Sequence, residues 1–327
     1  MKVNIKIGLL LVVSIFVLSA CSSFNPKPQI NYELGLLDIS TTPSERRVNV
    51  LFQVVEEKNS EVTGIDGLTE EDFEVLENDD FIDTESNIII DPNLIPTELY
   101  TVLLLDVSSS VTDFIQQIKD ASTKLVESKL PTQEFAIYTF DKDLKLIQDF
   151  TSDLTILKSK INSIPSSNLE NSTNLYGSII QLTNNSLFTW KEEYNLNKIL
   201  VRNLIVFTDG RHNANPSITL TQTINYTKNK KVYVAALQSP DLREDPLRQI
   251  GNQGYFLAND VSQLENKFKE VQDNIKKLSG SVYYLYYTSP ISDPSSRNNS
   301  LEIKIKDNTN TSSNGTIKTS FNSLGFN

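Results

Sequence analysis

From Leu99 onward the chain alternates short, continuous apolar runs with stretches in which apolar residues recur every three or four positions. The runs are candidate strands: Leu99 to Leu105, Glu134 to Phe140, Lys145 to Phe150, Asn203 to Thr208, Val232 to Leu237 and Tyr255 to Leu257. A run such as Val102-Leu103-Leu104-Leu105 has no polar side to turn towards water, so it suits a strand covered on both faces, the usual setting of a parallel sheet. Between the runs, Phe114, Ile118, Ala121 and Leu125 share one face of a helix, as do Leu154, Leu157, Ile161 and Ile164. The last helix is the clearest, with Leu264, Phe268, Val271, Ile275 and Leu278 on one face and Ser279-Gly280 as its stop. Strands alternating with amphipathic helices predict an α/β fold, a doubly wound and mainly parallel sheet, over residues 97–279.

Residues 33–96 and 280–327 follow a different rhythm. Val48 to Val54, Asp72 to Glu77, Ser281 to Thr288, Leu301 to Ile305 and Thr316 to Phe321 read as short strands, the fourth alternating strictly. Neither flank is large enough to bury a good core alone. The two are therefore expected to pair into one small β-sandwich with the α/β domain inserted between them. Residues 290–300 and 308–315 are rich in Asn, Ser and Thr and read as hairpin loops. Around Leu285, strand alternation sends one pair of Tyr283, Tyr284, Tyr286 and Tyr287 into the core and leaves the other for the sheet surface or an interdomain contact. The acidic group Glu77, Asp79, Asp80 and Asp83 lacks the spacing of a calcium loop and is expected to form a solvated turn. Trp190, the sole tryptophan, is expected to pack after the helix that carries Leu175, Ile179 and Leu182.

Residues 1–20 carry Lys2 and Lys6, an apolar stretch from Ile7 to Leu18, and then Leu18-Ser19-Ala20-Cys21. The stretch is short for a membrane span, which favours a cleaved export signal. The pattern resembles a bacterial lipoprotein signal with its lipobox. That resemblance implies that Cys21 is the lipidated first residue of the mature chain, that residues 21–32 are a tether, and that the protein is lipid-anchored in the bacterial cell envelope. Ser22 after the cysteine resembles proteins sent to the outer membrane where a cell has two membranes. Cys21 is also the only cysteine, so no intramolecular disulfide is available. With 30 basic against 41 acidic residues, the chain lacks the positive balance on which phosphate-backbone binding rests, and no nucleic-acid partner is expected.

Three short segments carry the candidate chemistry: Asp106-Val107-Ser108-Ser109-Ser110, Thr173-Asn174 and Thr208-Asp209-Gly210. The first and last directly follow apolar runs, and an α/β sheet gathers the loops at the carboxyl ends of its strands near a topological switch point. Hydroxyl and carboxylate oxygens are hard ligands suited to Mg²⁺ or Mn²⁺. Asp106, Ser108, Ser110, Thr173 and Asp209 together offer five such groups but only two formal negative charges. A divalent ion held there is neutralised without excess and can still attract an outside carboxylate. The competing reading is plainer: Ser110 or Thr112 caps the helix that starts near Phe114, and Asp209-Gly210 makes a tight turn.

The D-x-S-x-S, Thr and T-D-G combination resembles the metal-ion-dependent adhesion site of the von Willebrand factor type A family, over roughly residues 97–279. The resemblance implies that Ser108, Ser110 and Thr173 ligate the ion directly or through water. It implies that Asp106 and Asp209 act largely through water, and that an Asp or Glu of a protein partner completes the shell. The ion would be Mg²⁺, with Mn²⁺ or Ca²⁺ as alternatives. The sequence departs from the family before the threonine, where Asn171-Ser172 stands in place of the usual Gly-Gly or Gly-Asn.

His212, the only histidine, and Arg211 lie just beyond Asp209. A serine hydrolase would need such a histidine, but no G-x-S-x-G elbow accompanies it and the serines are already spoken for as ligands. Both residues are expected to be loop positions available to touch a partner. The resulting expectation is a non-enzymatic, membrane-anchored binding protein that serves adhesion or complex assembly. Two rivals are an envelope-assembly lipoprotein whose metal is structural, and a hydrolase that uses the metal to activate water. The second rival has no general base or second cluster of His and Asp or Glu to support it.

Overall fold

A computed structural model of the protein describes residues 30–326 apart from 59–60, 83–87, 92, 167–170, 185–186, 211 and 292–297. The expected export signal, Cys21, Asp83 and Arg211 lie outside the described residues. No helix among the described residues is long and apolar enough to cross a membrane.

The N-terminal part supplies β1 (Glu33–Thr42), β2 (Arg47–Lys58), β3 (Glu61–Gly64), β4 (Phe73–Glu77), β5 (Asp80–Phe81) and β6 (Ile89–Asp91). The central part runs β7 (Thr97–Asp106), α1 (Ile115–Glu127), β8 (Gln133–Phe140), β9 (Leu144–Thr151), α2 (Leu154–Asn162), α3 (Leu175–Thr183) and β10 (Glu193–Asn195). It continues through β11 (Lys198–Thr208), α4 (Leu220–Thr227), β12 (Lys231–Leu237), α5 (Glu244–Ile250), β13 (Gly254–Ala258) and α6 (Leu264–Gly280). The C-terminal part adds β14 (Val282–Thr288), β15 (Asn299–Ile305) and β16 (Thr316–Phe321).

The central strands form one sheet in the order β13-β12-β11-β7-β8-β9, with β10 beside the first residues of β11. Neighbours from β13 to β8 are parallel, and β9 turns back antiparallel at the edge. Both faces are covered, as the unbroken apolar runs require. Leu103, Leu105, Ile205 and Phe207 point to the side of α1, α2 and α6, where Ile118, Leu157 and Phe268 meet them. Val102, Leu104, Leu204 and Val206 point to the side of α3 and α5, where Ile179, Leu182 and Leu247 pack with Trp190. The indole N–H of Trp190 donates to the Leu182 carbonyl at the end of α3. This is the expected α/β architecture, with antiparallel sheets flanking it.

Those flanking sheets each combine strands from both ends of the chain. One runs β1-β2-β14-β6 with β3 on the end of β2, and the other runs β16-β15-β4-β5. They share a core in which the rings of Phe52, Phe73 and Tyr283 lie 5.5–5.7 Å apart. Tyr283 and Tyr287 are fully buried there, while Tyr284 faces the central domain's core and Tyr286 lies under the Arg47 guanidinium at 4.9 Å. Glu77 departs from the expected solvated turn. Asp79 and Asp80 are exposed, but Glu77 is 3% exposed. Its carboxylate accepts hydrogen bonds from the Tyr287 and Ser289 hydroxyls, each at 2.7 Å. Two hydroxyl donors from the C-terminal part of the chain thus replace the water that a lone carboxylate would demand.

The central sheet is fastened to these sheets at the foot of α6. Leu51 of β2 is part of the same core as Leu99 and Ile275. The side-chain amide of Gln53 donates to the Leu278 carbonyl at 3.2 Å and to the Ser281 hydroxyl at 3.0 Å. At Gly64 the two backbones come so close that a Cβ would stand 2.4 Å from the Lys277 carbonyl oxygen. At the opposite end of the sheet the chain leaves β7 for β8 on one side and returns as β11 on the other. The carboxyl ends of β7 and β11 therefore flank the switch point.

Candidate metal centre

The two central strands end level in register, each one residue beyond the Phe207–Leu105 pair. Asp106 is thereby delivered by β7, and Thr208 with Asp209 by β11, to the same edge of the sheet. Beyond Asp106 the chain makes a 3₁₀ turn over Ser109–Phe114 before α1 begins. Neither serine nor threonine caps that helix: no side-chain cap bond is made at Ser108 or Phe114, and Thr112 donates instead to the Ser109 carbonyl at 2.9 Å.

The hydroxyls turn towards the carboxylates. Asp106 Oδ1 accepts the Ser108 hydroxyl at 2.6 Å and the Ser108 N–H at 3.0 Å, while Oδ2 accepts the Thr208 hydroxyl at 2.7 Å. The Ser108 and Ser110 hydroxyls are 3.1 Å apart, and Ser110 donates to Asp209 Oδ1 at 2.9 Å. Asp106, Ser108, Ser110 and Asp209 thus form one continuous run of oxygen contacts across the switch point, with two hydroxyl protons given to the carboxylates and the two hydroxyl oxygens side by side. Thr173 enters from the loop between α2 and α3 and lines the same cavity as Ser108, Ser110 and Asp209.

That cavity has a volume of about 400 Å³. Its rim is polar but for Phe114 and Pro240, and none of the described residues lining it is a lysine or arginine. Asp106 does not itself line the cavity; it is fully buried and bonded to Ser108, which does. Burial, and then the negative charge of Asp209, push the Asp106 carboxyl up to about 7 against the pull of its Ser108 and Thr208 hydrogen bonds. Asp209 is also raised, by burial and, to a smaller extent, by Asp241, while its bond from Ser110 acts the other way. Two buried carboxylates within reach of one another, with hydroxyl neighbours and no lining cation, repel when both are ionised.

This donor set fits a hard divalent cation. Carboxylate, hydroxyl and water oxygens are what Mg²⁺, Mn²⁺ and Ca²⁺ take, and a doubly positive ion removes the conflict between the two aspartates. None of the described residues lining the cavity is a histidine or cysteine. Among the described residues no three His, Cys, Asp or Glu side chains come together to hold a metal. His212 turns away from such a role: its ring stacks on Tyr176 with centroids 4.6 Å apart, and its Nε2–H donates to the Asn215 carbonyl at 2.5 Å.

Residues 101–280 match the von Willebrand factor type A domain. The chain belongs to that family. Type A domains commonly mediate protein–protein contact or adhesion through a divalent metal at their adhesion site. Among solved structures, proximal thread matrix protein 1 from the mussel byssus is 22% identical with a TM-score of 0.46, over 55% of this chain and 49% of that one. This chain thus spans about half of the mussel protein. The conserved hypothetical protein BatB from Bacteroides thetaiotaomicron is 18% identical with a TM-score of 0.45, over 56% of this chain and 100% of that one. The von Willebrand factor domain of the type V pili tip protein Mfa5 from Porphyromonas gingivalis is 13% identical with a TM-score of 0.45, over 56% and 96%. No curated protein matches the chain.

Several residues of this type A site carry no obvious signature in the sequence. The Ser239 hydroxyl donates to the Asp209 carbonyl, and the Ser109 hydroxyl donates to the Asn171 side chain across the cavity mouth. Asn171 therefore links two loops of the site. Asn213 holds the backbone of Thr173 from both sides. Only the polar, turn-forming character of these residues could have marked them.

Proposed function

We propose that this protein captures an acidic side chain of a protein partner by means of a divalent cation, without making or breaking a covalent bond. Asp106, Ser108, Ser110, Thr173 and Asp209 would hold the ion, Mg²⁺ first and Mn²⁺ or Ca²⁺ as alternatives. When bound, it would supply the positive charge that a partner's Asp or Glu requires. The observation that carries this reading is the gathering of the Ser108, Ser110 and Asp209 oxygens, with Asp106 bonded behind Ser108, at a cavity whose described lining has no basic side chain.

The rest of the molecule takes its place around that centre. Residues 33–96 and 280–327 form a β-sandwich into which residues 97–279 are inserted, a division supported by the pairing of β14 with β2 and of β15 with β4. Residues 1–20 are removed on export, residues 21–32 are the tether, and acyl chains on Cys21 hold the protein at a membrane of the bacterial envelope, the outer one where there are two. This part of the reading is supported by the Leu18-Ser19-Ala20-Cys21 string. The binding head is thereby displayed on a lipid anchor, ready to retain a partner at the envelope.

Calorimetric titration of Mg²⁺ and Mn²⁺ into the protein tests the centre. Wild type is expected to give saturable heat, and the Asp106→Ala/Asp209→Ala double variant none. Capture of an envelope protein is then expected with Mg²⁺ and not with EDTA, and to vanish when the captured protein's contact Asp or Glu is replaced by Ala. Capture that persists in EDTA and in the double variant would refute the reading.

A further inference from the structure

We propose that Asn213 is the positioning residue that sets Thr173 in place, with the His212–Tyr176 ring pair as its brace, an inference resting on the reading of Thr173 as a metal ligand. Thr173 belongs to the loop between α2 and α3, yet its backbone is held from the other side of the cavity. Its N–H donates to Asn213 Oδ1 at 2.7 Å. Its carbonyl accepts the N–H of Asn213 at 3.0 Å and of Ala214 at 3.3 Å.

One asparagine thus uses its side chain as acceptor and its backbone as donor on the two polar atoms of a single residue. With both atoms tied, the direction of the Thr173 Cα–Cβ bond, and so of its hydroxyl, follows the segment that begins at Asp209. Asn174, the next residue, is held from below by donating its N–H to the Asp141 carbonyl at 2.7 Å.

The segment carrying Asn213 is itself held. His212, immediately before it, stacks on Tyr176 at an interplanar angle of 22°. Tyr176 lies in the first turn of α3, three residues beyond Thr173. The His212 Nε2–H bond to the Asn215 carbonyl closes the segment on its far side. A ring pair and a reciprocal amide clamp therefore join the loop that supplies one aspartate to the loop that supplies the threonine.

The clamp answers a question raised by Asn171-Ser172, which stand where the family usually has small, glycine-containing pairs. Thr173 is fixed here by backbone and side-chain bonds from a second loop. Groups that orient ligands in this way typically change metal affinity ~10–100-fold when removed. A neutral acceptor suffices for the task, and the side-chain oxygen of asparagine provides it next to two carboxylates without adding a third charge.

The test combines Mg²⁺ calorimetry with amide hydrogen exchange at Thr173, the latter measured by NMR on the full protein in EDTA. Asn213→Ala is expected to speed exchange at Thr173 at least tenfold without metal and to raise the Mg²⁺ Kd ~10–100-fold, while the denaturation midpoint in EDTA stays near wild type. Asn213→Asp keeps the acceptor and is expected to restore the protection. His212→Ala is expected to act in the same direction by a smaller factor, and it serves if Asn213→Ala does not fold. Wild-type exchange at Thr173, or an unchanged Kd, in both the Asn213 and His212 variants would overturn the assignment. Asp106→Ala separates the two ideas. If it leaves Mg²⁺ affinity intact, the reading of the metal centre fails; if it abolishes binding while the clamp variants bind normally, the positioning role alone fails.

Discussion

Two buried carboxylates, Asp106 in the central domain and Glu77 in the flanking sheets, start from the same difficulty and end differently. Each has lost its water, and each accepts hydrogen bonds from two hydroxyl-bearing residues. Glu77 meets Tyr287 and Ser289 from the C-terminal part of the chain, and burial raises its pKa against the pull of those two bonds. Asp106 meets Ser108 and Thr208, but it also faces Asp209 and adjoins the cavity that Ser108 lines. The first arrangement is closed, its acceptor oxygens matched by the fold. The second leaves two negative charges beside a space that a cation fits. Hydrogen bonds alone therefore do not distinguish a structural acid from a candidate ligand; the neighbouring like charge and the adjoining cavity do.

The sharpest way to break that contrast is to remove both acids in turn and measure stability in EDTA. Glu77→Ala leaves the Tyr287 and Ser289 hydroxyls buried without their acceptor and opens a void, so a loss of ~2–4 kcal/mol is expected, with the response to Mg²⁺ intact. Asp106→Asn removes a buried charge that Asp209 opposes, so metal-free stability is expected to match or exceed wild type at neutral pH. The same substitution should erase the Mg²⁺ upshift, which for wild type is ~2.7 kcal/mol at a hundredfold excess of ion over Kd. Denaturant titrations with Mg²⁺ and with EDTA check both. A wild-type upshift in Asp106→Asn, or a lost upshift in Glu77→Ala, would dissolve the distinction.

A smaller effect is expected where the two regions are joined. At Gly64 a methyl group would stand 2.4 Å from the Lys277 carbonyl oxygen and 2.5 Å from the Leu278 Cα. Both are backbone atoms, so β3 or the end of α6 must move. Gly64→Ala is expected to cost ~1–3 kcal/mol, the usual range for overpacking, while Mg²⁺ affinity at the opposite end of the sheet stays within about twofold of wild type. Calorimetry on the variant checks the second half. A large fall in affinity would show that the foot of α6 and the metal centre are coupled.

Much of the central domain was legible because its residues report on their own surroundings. The runs ending at Leu105 and Thr208 have no polar face, and the apolar stripe of α6 repeats cleanly from Leu264 to Leu278, so strand and helix follow from local pattern. The short pieces β3, β5, β6 and β10 were not legible, because they owe their existence to a neighbour's edge rather than to their own sequence. The same division runs through the site. Asp106, Ser108, Ser110, Thr173 and Asp209 announce themselves by residue type and spacing, whereas Asn213, Asn171 and Ser239 act through loops that only the folded sheet brings together. Glu77 was misread because its neighbours Asp79 and Asp80 are exposed, while its own hydroxyl partners lie more than 200 residues away.

The smallest expected effect, and the one that most directly reads the state of Glu77, is in the pH dependence of stability. Its folded pKa is raised above the ordinary 4.5 of a glutamate, by burial first. The folded protein therefore keeps the Glu77 proton over a range in which the unfolded chain has already released it. By linkage, stability from this group is fully present below pH 4.5 and is lost as pH rises through the folded value. Glu77→Gln, which cannot titrate, should lack that component. Denaturation midpoints of wild type and Glu77→Gln, taken in EDTA at half-unit steps from pH 4 to pH 7, are expected to draw apart, with the wild type declining more steeply as pH increases. Parallel curves would mean that the Tyr287 and Ser289 hydroxyls stabilise the carboxylate as well as water does. Glu77 would then be an ordinary ionised acid, and the contrast with Asp106 would rest on Asp209 and the cavity alone.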